Sequence, residues 1–194
     1  MRRLIVFACL LLAGCTTADP GTPTPADRTS DRPSETNTTT TKSSAPSRPR
    51  NIDLATVDIC QVVTGLPRAD LGLDTDRPPL PGDSNLFPGS KDCFNNGTAA
   101  NLALTLVAVV NQGAAAYLDG ANADIDRTDA NGFPLYVLTT EASPQSCFGV
   151  LDVNDGQMIF INYGVASSSS QPATPQSTLC ERVPEIAKAA LALL

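Results

Sequence analysis

The sequence of 194 residues contains no histidine and no tryptophan, and only 5% of its residues are aromatic. Because histidine is absent, Ser/His/Asp and Cys/His catalytic arrangements are excluded, and so is the commonest general base. Zinc sites of the Cys/His type are excluded as well, and the chain has no CxxC pair. Aspartate is plentiful, but no pattern singles out a pair of carboxylates, and no glycine-rich phosphate loop occurs. We predict a protein that is not an enzyme and that has no catalytic residues, no metal site and no cofactor.

Basic side chains are also scarce. The chain has 13 Lys and Arg against 20 Asp and Glu, which gives a formal net charge of −7. The imbalance is concentrated after residue 50, where six basic residues are outnumbered by sixteen acidic ones. Because an acidic surface repels the phosphate backbone, we predict that nucleic acid is not a partner.

The first 14 residues have the composition of an export signal. Arg2 and Arg3 precede an apolar run from Leu4 to Ala13, and a small residue follows. The run has roughly ten residues, half of the ~20 that a helix needs to cross a bilayer. We therefore predict that residues 1–14 are a signal peptide and not a permanent membrane anchor.

The end of this signal, Leu12-Ala13-Gly14-Cys15, resembles the lipobox of bacterial lipoproteins. The resemblance implies cleavage before Cys15 and attachment of lipid to its thiol. Two or more acyl chains hold a protein stably on a membrane, so the protein would be anchored at the extracytoplasmic face of the cell membrane. The alternative is an ordinary signal peptide that happens to end at a cysteine.

Residues 15–50 are predicted to form a disordered stalk. From Thr16 to Arg50, roughly 21 of 35 positions are Ser, Thr or Pro, and no large apolar residue is present. Such a segment buries too little apolar surface to offset the entropy of ordering. As a flexible coil it would span about 30 Å on average. Whether the stalk is glycosylated or is an unmodified spacer stays open.

Residues 51–194 are long enough for a single globular domain. They contain Cys60, Cys93, Cys147 and Cys180, and export would place these in an oxidising compartment. We predict two disulfides. Four cysteines allow three connectivities, and the sequence does not choose among them; pairing in chain order would close two loops of about 33 residues each.

Apolar patterning predicts several strands after a helical start that Asp53 caps. A run that is apolar on both faces is typical of a central strand, and an Asn-Asp-Gly sequence between two apolar runs indicates a hairpin. The predicted strands are a strand around Asp92–Phe94, a central strand at Leu102–Val110, a third strand at Phe133–Thr140, and a hairpin of Cys147–Val153 with Gln157–Tyr163.

The chain ends in a predicted amphipathic helix. Its apolar residues fall on one helical face: Leu179, Val183, Ile186, Ala187, Ala190, Leu191 and Leu194. Since Pro184 is tolerated only in a first turn or at a kink, we expect Cys180 at the beginning of this helix. The resulting fold class is α+β: a mostly antiparallel sheet flanked by N- and C-terminal helices, with two disulfides, on the disordered stalk.

Carboxylates alternate between Asp119 and Gly132, as they often do in calcium-binding loops. Counted from Asp124, however, the sixth position is Asp129 instead of glycine, and the twelfth is Leu135 instead of glutamate. We predict a polar loop here. Whether Asp119 to Asp129 binds a cation stays open.

Several elements occur in the order found in a family of actinobacterial lipoproteins. They are Ile52-Asp53-Leu54 before a cysteine, Cys93 beside an aromatic residue, Gly132-Phe133-Pro134 before a strand, Cys147 in a strand, and a last cysteine that heads an alanine-rich helix. With the lipobox and stalk, they resemble domain of unknown function 3558. That family tends to have a tryptophan after its second conserved cysteine; here only Phe94 is present, and we expect it in the core. The resemblance implies no mechanism.

We predict that the protein is a binding or sensor module of the cell envelope, with an unidentified envelope protein, glycan or small molecule as its partner. The alternative is an accessory or structural component of an envelope or secretion assembly. A binding module should show an apolar pocket of about 300 Å³ or more with a few polar groups. An assembly component should instead expose an apolar patch.

Overall fold

A computed structural model describes residues 47–167 and 174–194. The predicted signal peptide, Cys15, most of the predicted stalk and residues 168–173 of the serine-rich loop lie outside the described residues. Within the part that is described, no helix is long and apolar enough to span a membrane.

The described residues form one antiparallel sheet of seven strands in the order β1-β2-β3-β7-β6-β5-β4. The strands are β1 (Leu80–Asp83), β2 (Lys91–Gly97), β3 (Leu102–Val109), β4 (Asp124–Ala130), β5 (Phe133–Thr139), β6 (Ser146–Asn154) and β7 (Gln157–Val165). The apolar β3 lies inside the sheet between β2 and β7, and β6 and β7 form the predicted hairpin. The predicted fold class is thus confirmed.

The described helices are a 3-10 turn at Leu54–Thr56 and the α-helices α1 (Ile59–Gly65), α2 (Ala114–Asp119) and α3 (Gln176–Leu191). The carboxylate of Asp53 accepts a hydrogen bond from the backbone N–H of Ala55 at 3.1 Å. Asp58 caps α1 in the same way. The predicted helical start therefore exists as two short elements, each with its own aspartate cap.

One face of the sheet, the helix face, is covered by α1 and α3. The predicted apolar stripe of α3 is buried from Leu179 to Leu191. A Cβ atom at Gly149 of β6 would lie 2.6 Å from Cγ1 of Val183, so α3 lies directly on the backbone of β6 at that point. A larger residue at Gly149 would push the helix off the sheet.

Both disulfides lie on the helix face. Cys60–Cys93 joins α1 to β2, and Cys147–Cys180 joins β6 to α3. The pairing follows chain order, and the connectivity that the sequence left open is thereby resolved. The Cys147–Cys180 bridge fastens the last helix to the sheet.

The expected position of Cys180 at the start of α3 is wrong. The helix begins four residues earlier, at Gln176, and Pro184 lies inside it. Proline has no N–H to donate to the carbonyl four residues before it, which here belongs to Cys180. Burial of the apolar residues on both sides of Pro184 compensates for the lost hydrogen bond.

The opposite side of the sheet, the second face, is partly covered by α2 and the loop between β1 and β2. Phe160 of β7 lies at the centre of this packing, with its ring centroid 5.1 Å from that of Phe87 and 5.6 Å from that of Tyr117. The buried residues of this second hydrophobic cluster are Phe87, Val107, Val109, Ala114, Leu138, Val150, Met158 and Phe160.

The polar loop predicted between Asp119 and Gly132 is wrong. Residues Asp124–Ala130 form the edge strand β4, which pairs with β5 through a tight turn at Asn131-Gly132. Both turn residues have positive φ, 51° and 82°. Six of the seven β4 residues are exposed, so buried apolar residues do not alternate with exposed polar ones along this strand. The strand predicted as the third is therefore the fifth, because β1 and β4 were not predicted.

The last residues of the predicted stalk contact the domain. The guanidinium of Arg48 forms ion pairs with Asp152 at the end of β6 and Asp155 in the β6–β7 turn. The Arg48 side chain is only 10% exposed. The backbone N–H of Ile52 donates to the carbonyl of Val153 at 3.0 Å. The chain therefore enters the domain at the β6–β7 turn, which we call the near end; the β2–β3 turn marks the far end.

Candidate functional site

Toward the far end, the second face is not covered by any described helix. An open depression of about 240 Å³, the sheet trough, lies there across β2, β3, β7 and the start of β6. Its principal residues are Phe94, Asn96, Ala103, Thr105, Asn162 and Gly164. All except Gly164 are partly exposed.

Strand register places the polar residues of the trough side by side. Phe94 pairs with Thr105, Thr105 with Asn162, and Asn162 with Phe148. Within residues 47–167 and 174–194, the side chains of Thr105 and Asn162 form no hydrogen bond. A hydroxyl and an amide are thus available at the middle of the trough, between two aromatic residues.

The walls of the trough are held by hydrogen bonds. The side-chain amide of Gln176, in the first turn of α3, donates to the carbonyl of Ser146 at 2.8 Å. At the far end, the amide nitrogen of Asn101 donates to the carbonyl of Ser167 at 2.9 Å. A Cβ atom at Gly164 would lie 2.7 Å from the carbonyl oxygen of Gln145, so only glycine permits this close approach. The Gln176 contact thus holds the start of β6 from α3, and the Asn101 and Gly164 contacts hold the far end of the trough.

A second depression, the edge groove, continues the trough toward the β1 edge. It has a volume of about 320 Å³ and shares Phe94 and Asn96 with the trough. Pro78 and Leu80 supply apolar walls, and the Leu80 side chain is 60% exposed. Arg77 also lines the edge groove.

The wall of the edge groove is a loop that side chains stabilise. The Arg68 guanidinium donates to the carbonyls of Asp74 at 3.0 Å and Arg77 at 2.9 Å. The Thr98 hydroxyl donates to the Asp74 carboxylate at 2.7 Å, and this hydrogen bond lowers the pKa of Asp74 below its ordinary value. The positive charge of Arg77 acts in the same direction. Asp74 therefore remains ionised and keeps the loop against β2.

Asn95 is the buried polar residue of the edge groove. Its residue surface is 3% exposed, and its amide nitrogen reaches the carbonyl of Asp74 only at 3.5 Å. Among the residues that the structure describes, its Oδ1 atom has no hydrogen-bond partner. A buried acceptor without a hydrogen-bond partner lowers the stability of the fold, and folded proteins contain few such atoms. Asn95 is therefore an unusual residue at this end of the domain.

Two carboxylates approach each other at the near end of the β1–β2 edge. Burial raises the pKa of Asp92 above its ordinary value, and the negative charge of Asp83 adds to the rise. Asp83 in turn forms an exposed ion pair with Lys91. Acid–base enzymes use paired carboxylates in different environments, but here the pair lies at an exposed edge, outside the trough and the edge groove.

None of the site residues predicted from the sequence lines the trough. Cys15 lies outside the described residues, and the four disulfide cysteines lie on the helix face. Asp124 and Asp126 lie on the exposed strand β4. In the described ranges, no group of three or more His, Cys, Asp or Glu residues is arranged to hold a metal ion.

Phe94 was expected in the core, and this expectation is wrong. It lies on the second face, where no described helix covers it, and it lines both the trough and the edge groove. Thr105 and Asn162 carried no signal of a site, because each is an isolated polar residue in an apolar strand. Their proximity depends on the pairing of β3 with β7, which the sequence does not specify.

The fold and its bridges define a disulfide-bonded α+β domain, and the two disulfides indicate an oxidising, extracytoplasmic compartment. The family described as "Protein of unknown function (DUF3558)" matches residues 10–193. The chain therefore belongs to the DUF3558 family. No curated protein and no solved structure matches the sequence significantly.

Proposed function

We propose that this protein is a lipoprotein, anchored at the extracytoplasmic face of the membrane by lipid on Cys15, that binds a ligand in the sheet trough. The lipobox-like sequence before Cys15 supports the anchor, and the family match begins at residue 10 and includes that sequence. The disulfides support the compartment.

The observation that carries the binding role is the difference between the two ends of the second face. One end is filled with aromatic and aliphatic side chains, whereas the other presents Thr105 and Asn162 without protein partners among the described residues. The trough alone, at about 240 Å³, is smaller than the pocket of about 300 Å³ expected of a binding module, but the edge groove that adjoins it adds about 320 Å³ and shares Phe94 and Asn96 with it. We also propose that the domain has no catalytic activity, since the trough has no titratable side chain.

The anchor is tested by replacing Cys15 with serine and separating membranes from soluble material. We expect Cys15→Ser to release or mislocalise the protein while the domain stays folded. Cys9→Ser is the matched control, because Cys9 lies in the predicted signal peptide and is expected to be removed with it. If the Cys15→Ser protein is as membrane-bound as wild type, the anchor proposal is wrong.

The binding role is tested with the full-length Cys15→Ser chain and an extract of the cell envelope. Thr105→Arg would fill the trough with a charged side chain, and we expect it to abolish retention of the material that the parent chain retains. Ile125→Arg on exposed β4 is the matched control and should retain this material. Equal retention by the Thr105→Arg chain, or no retention by the parent, would contradict the proposal.

The second candidate function is a component of an envelope assembly. It is favoured by the exposure of Leu80, whose side chain sits at the open edge of the sheet beside Phe94. A single stoichiometric protein partner that is lost with Leu80→Asp and kept with Thr105→Arg would support this alternative over ligand binding.

A further inference from the structure

We propose that the ligand of the sheet trough is a neutral oligosaccharide. This inference rests on the proposed function, because it assumes that the trough is where the ligand binds. Four properties of the trough carry it: its lack of charge, its unpaired polar groups, the aromatic side chains beside them and its position on the face of the sheet.

No charged side chain lines the trough, although the domain has many charged side chains. Residues 51–194 have sixteen acidic and six basic side chains, yet every residue that lines the trough is uncharged. Charged ligands are usually matched by side chains of opposite charge. The basic residue Arg77 lines the adjoining edge groove and not the trough. A ligand without formal charge fits this surface.

The polar groups of the trough both donate and accept hydrogen bonds. The hydroxyl of Thr105 and the amide of Asn162 are register partners, and neither is used by the described protein. Sugar hydroxyls likewise donate and accept, so they can satisfy both groups together. A purely apolar ligand would bury these groups without partners, which is unfavourable.

Phe94 lines the trough on one side of this polar pair, and Phe148, the register partner of Asn162, lies on the other side, beside the trough but not in its lining. Phe94 is partly exposed on β2, and Phe148 on β6 is packed against the ring of Phe160, with centroids 5.8 Å apart and an interplanar angle of 28°. The strands β2 and β6 are three strand spacings apart, or ~14 Å. Aromatic rings offer flat apolar surface against which the C–H faces of sugar rings can pack. The row therefore suits a chain of sugars better than a single one.

The position of the trough argues against a peptide ligand. Extended peptides usually bind at an open sheet edge, where unpaired backbone groups add a strand. The floor of the trough is formed by β2, β3 and β7. The strands β3 and β7 are paired on both sides, whereas β2 pairs with β1 only from Lys91 to Phe94, and beyond this the carbonyl of Asn96 accepts a hydrogen bond from the backbone N–H of Asp74 at 2.8 Å. Only side chains are offered to a ligand there, and recognition through side chains alone suits the hydroxyl groups of a glycan.

The test uses the full-length Cys15→Ser chain with uncharged hexasaccharides of glucose, galactose, mannose or arabinose as probes. Binding is followed by NMR chemical-shift changes and calorimetry. We expect at least one probe to bind, with shifts confined to β2, β3, β6 and β7. Phe94→Ala and Asn162→Ala should each weaken this binding up to about tenfold. The controls Asn122→Ala and Ile125→Ala should leave it unchanged.

The outcomes separate this inference from the proposed function. If no hexasaccharide binds while envelope material is still retained in a Thr105→Arg-sensitive way, the oligosaccharide inference is overturned and the binding role stands. If neither binds, both fail. Binding that is as tight in both the Phe94→Ala and the Asn162→Ala chains as in the parent chain also overturns the inference, since the sugar then lies elsewhere.

Discussion

The two faces of the sheet differ in how they are covered. The helix face carries the 16-residue α3, the shorter α1 and both disulfides. Of the elements that the structure describes, only the six-residue α2 and a loop lie on the second face, and they cover its near half. Covalent bridges and the larger helices thus secure one face, while the far half of the other face is left uncovered by the described residues.

Under the proposed binding role, this contrast means that stability and recognition are divided between the two faces. A site that must accept a ligand leaves apolar and polar surface uncovered, which stabilises the fold less than burial does. The disulfides and the helix face supply compensating stability. The following predictions test this division by changing one face or one half-face at a time.

The largest effect is expected for Phe160→Ala, on the covered half of the second face. Phe160 is 4% exposed, and its removal leaves a cavity among three other aromatic rings. We expect a loss of about 3 to 5 kcal/mol in the free energy of unfolding, measured by chemical denaturation. Phe94→Ala is the same chemical change on the uncovered half and should cost less than about 1 kcal/mol. If both variants lost the same free energy of unfolding, the covered and uncovered halves of the second face would not differ as described.

The second prediction concerns the bridge between α3 and β6. Replacing Cys147 and Cys180 with alanine should lower the free energy of unfolding by about 3 to 4 kcal/mol, since the bridge closes a long loop of the unfolded chain. The control is the double replacement of Cys60 and Cys93, which are also separated by 33 residues and should therefore lose a similar amount. A loss under about 1 kcal/mol from both would show that the helix face does not depend on its bridges.

The third prediction concerns the near end and depends on pH. Burial raises the pKa of Asp152 above its ordinary value, and Arg48 opposes this rise through its hydrogen bond and charge. A carboxyl whose pKa is raised by folding lowers stability as the pH rises through that pKa. Without Arg48 the pKa of Asp152 rises further, so Arg48→Ala should cost most at neutral pH, about 3 kcal/mol.

This cost should shrink as the pH falls through the raised pKa of Asp152, because the protonated carboxyl no longer needs a cationic partner. Denaturation curves at several pH values would measure the trend. Arg50→Ala, at an exposed neighbouring position, should have little effect at any pH. A cost that is independent of pH would mean that Arg48 acts through packing alone.

The smallest effect is expected in the trough itself. Asn162→Ala removes an amide that no described residue uses, so the free energy of unfolding should change by less than about 0.5 kcal/mol. The thermal unfolding midpoint would report this. A much larger loss would show that Asn162 supports the fold, and the comparison between a structural and an open half-face would then need revision.

The spacing of apolar residues and the turn residues predicted those helices and strands that depend mainly on neighbouring residues in the chain. The central strand β3 is apolar on both faces, the turn before Gln157 contains Gly156 with a φ of 72°, and α3 has one apolar stripe. The edge strand β4 was missed because its residues are exposed and its existence depends on pairing with β5. The Asn131-Gly132 pair was the local signal for that hairpin.

The candidate site could not be predicted in the same way. Phe94, Thr105 and Asn162 come from three strands, and the third is 57 positions after the second along the chain. Their juxtaposition follows from long-range register, which depends on how the whole core packs. The position of Pro184 within α3 was missed for a related reason, since tertiary burial overrides the local preference of proline.

The contact of Arg48 with the near end has a mechanical consequence. Any force applied through the preceding chain is received first by the Arg48 ion pairs and the Ile52–Val153 hydrogen bond. The trough lies toward the opposite end of the strands, and Asn162 in it is ~17 Å along β7 from Gln157 at the near end. Pulling on the N-terminal segment, or coupling it to a solid support, should therefore load the β6–β7 turn and leave the trough undeformed and accessible.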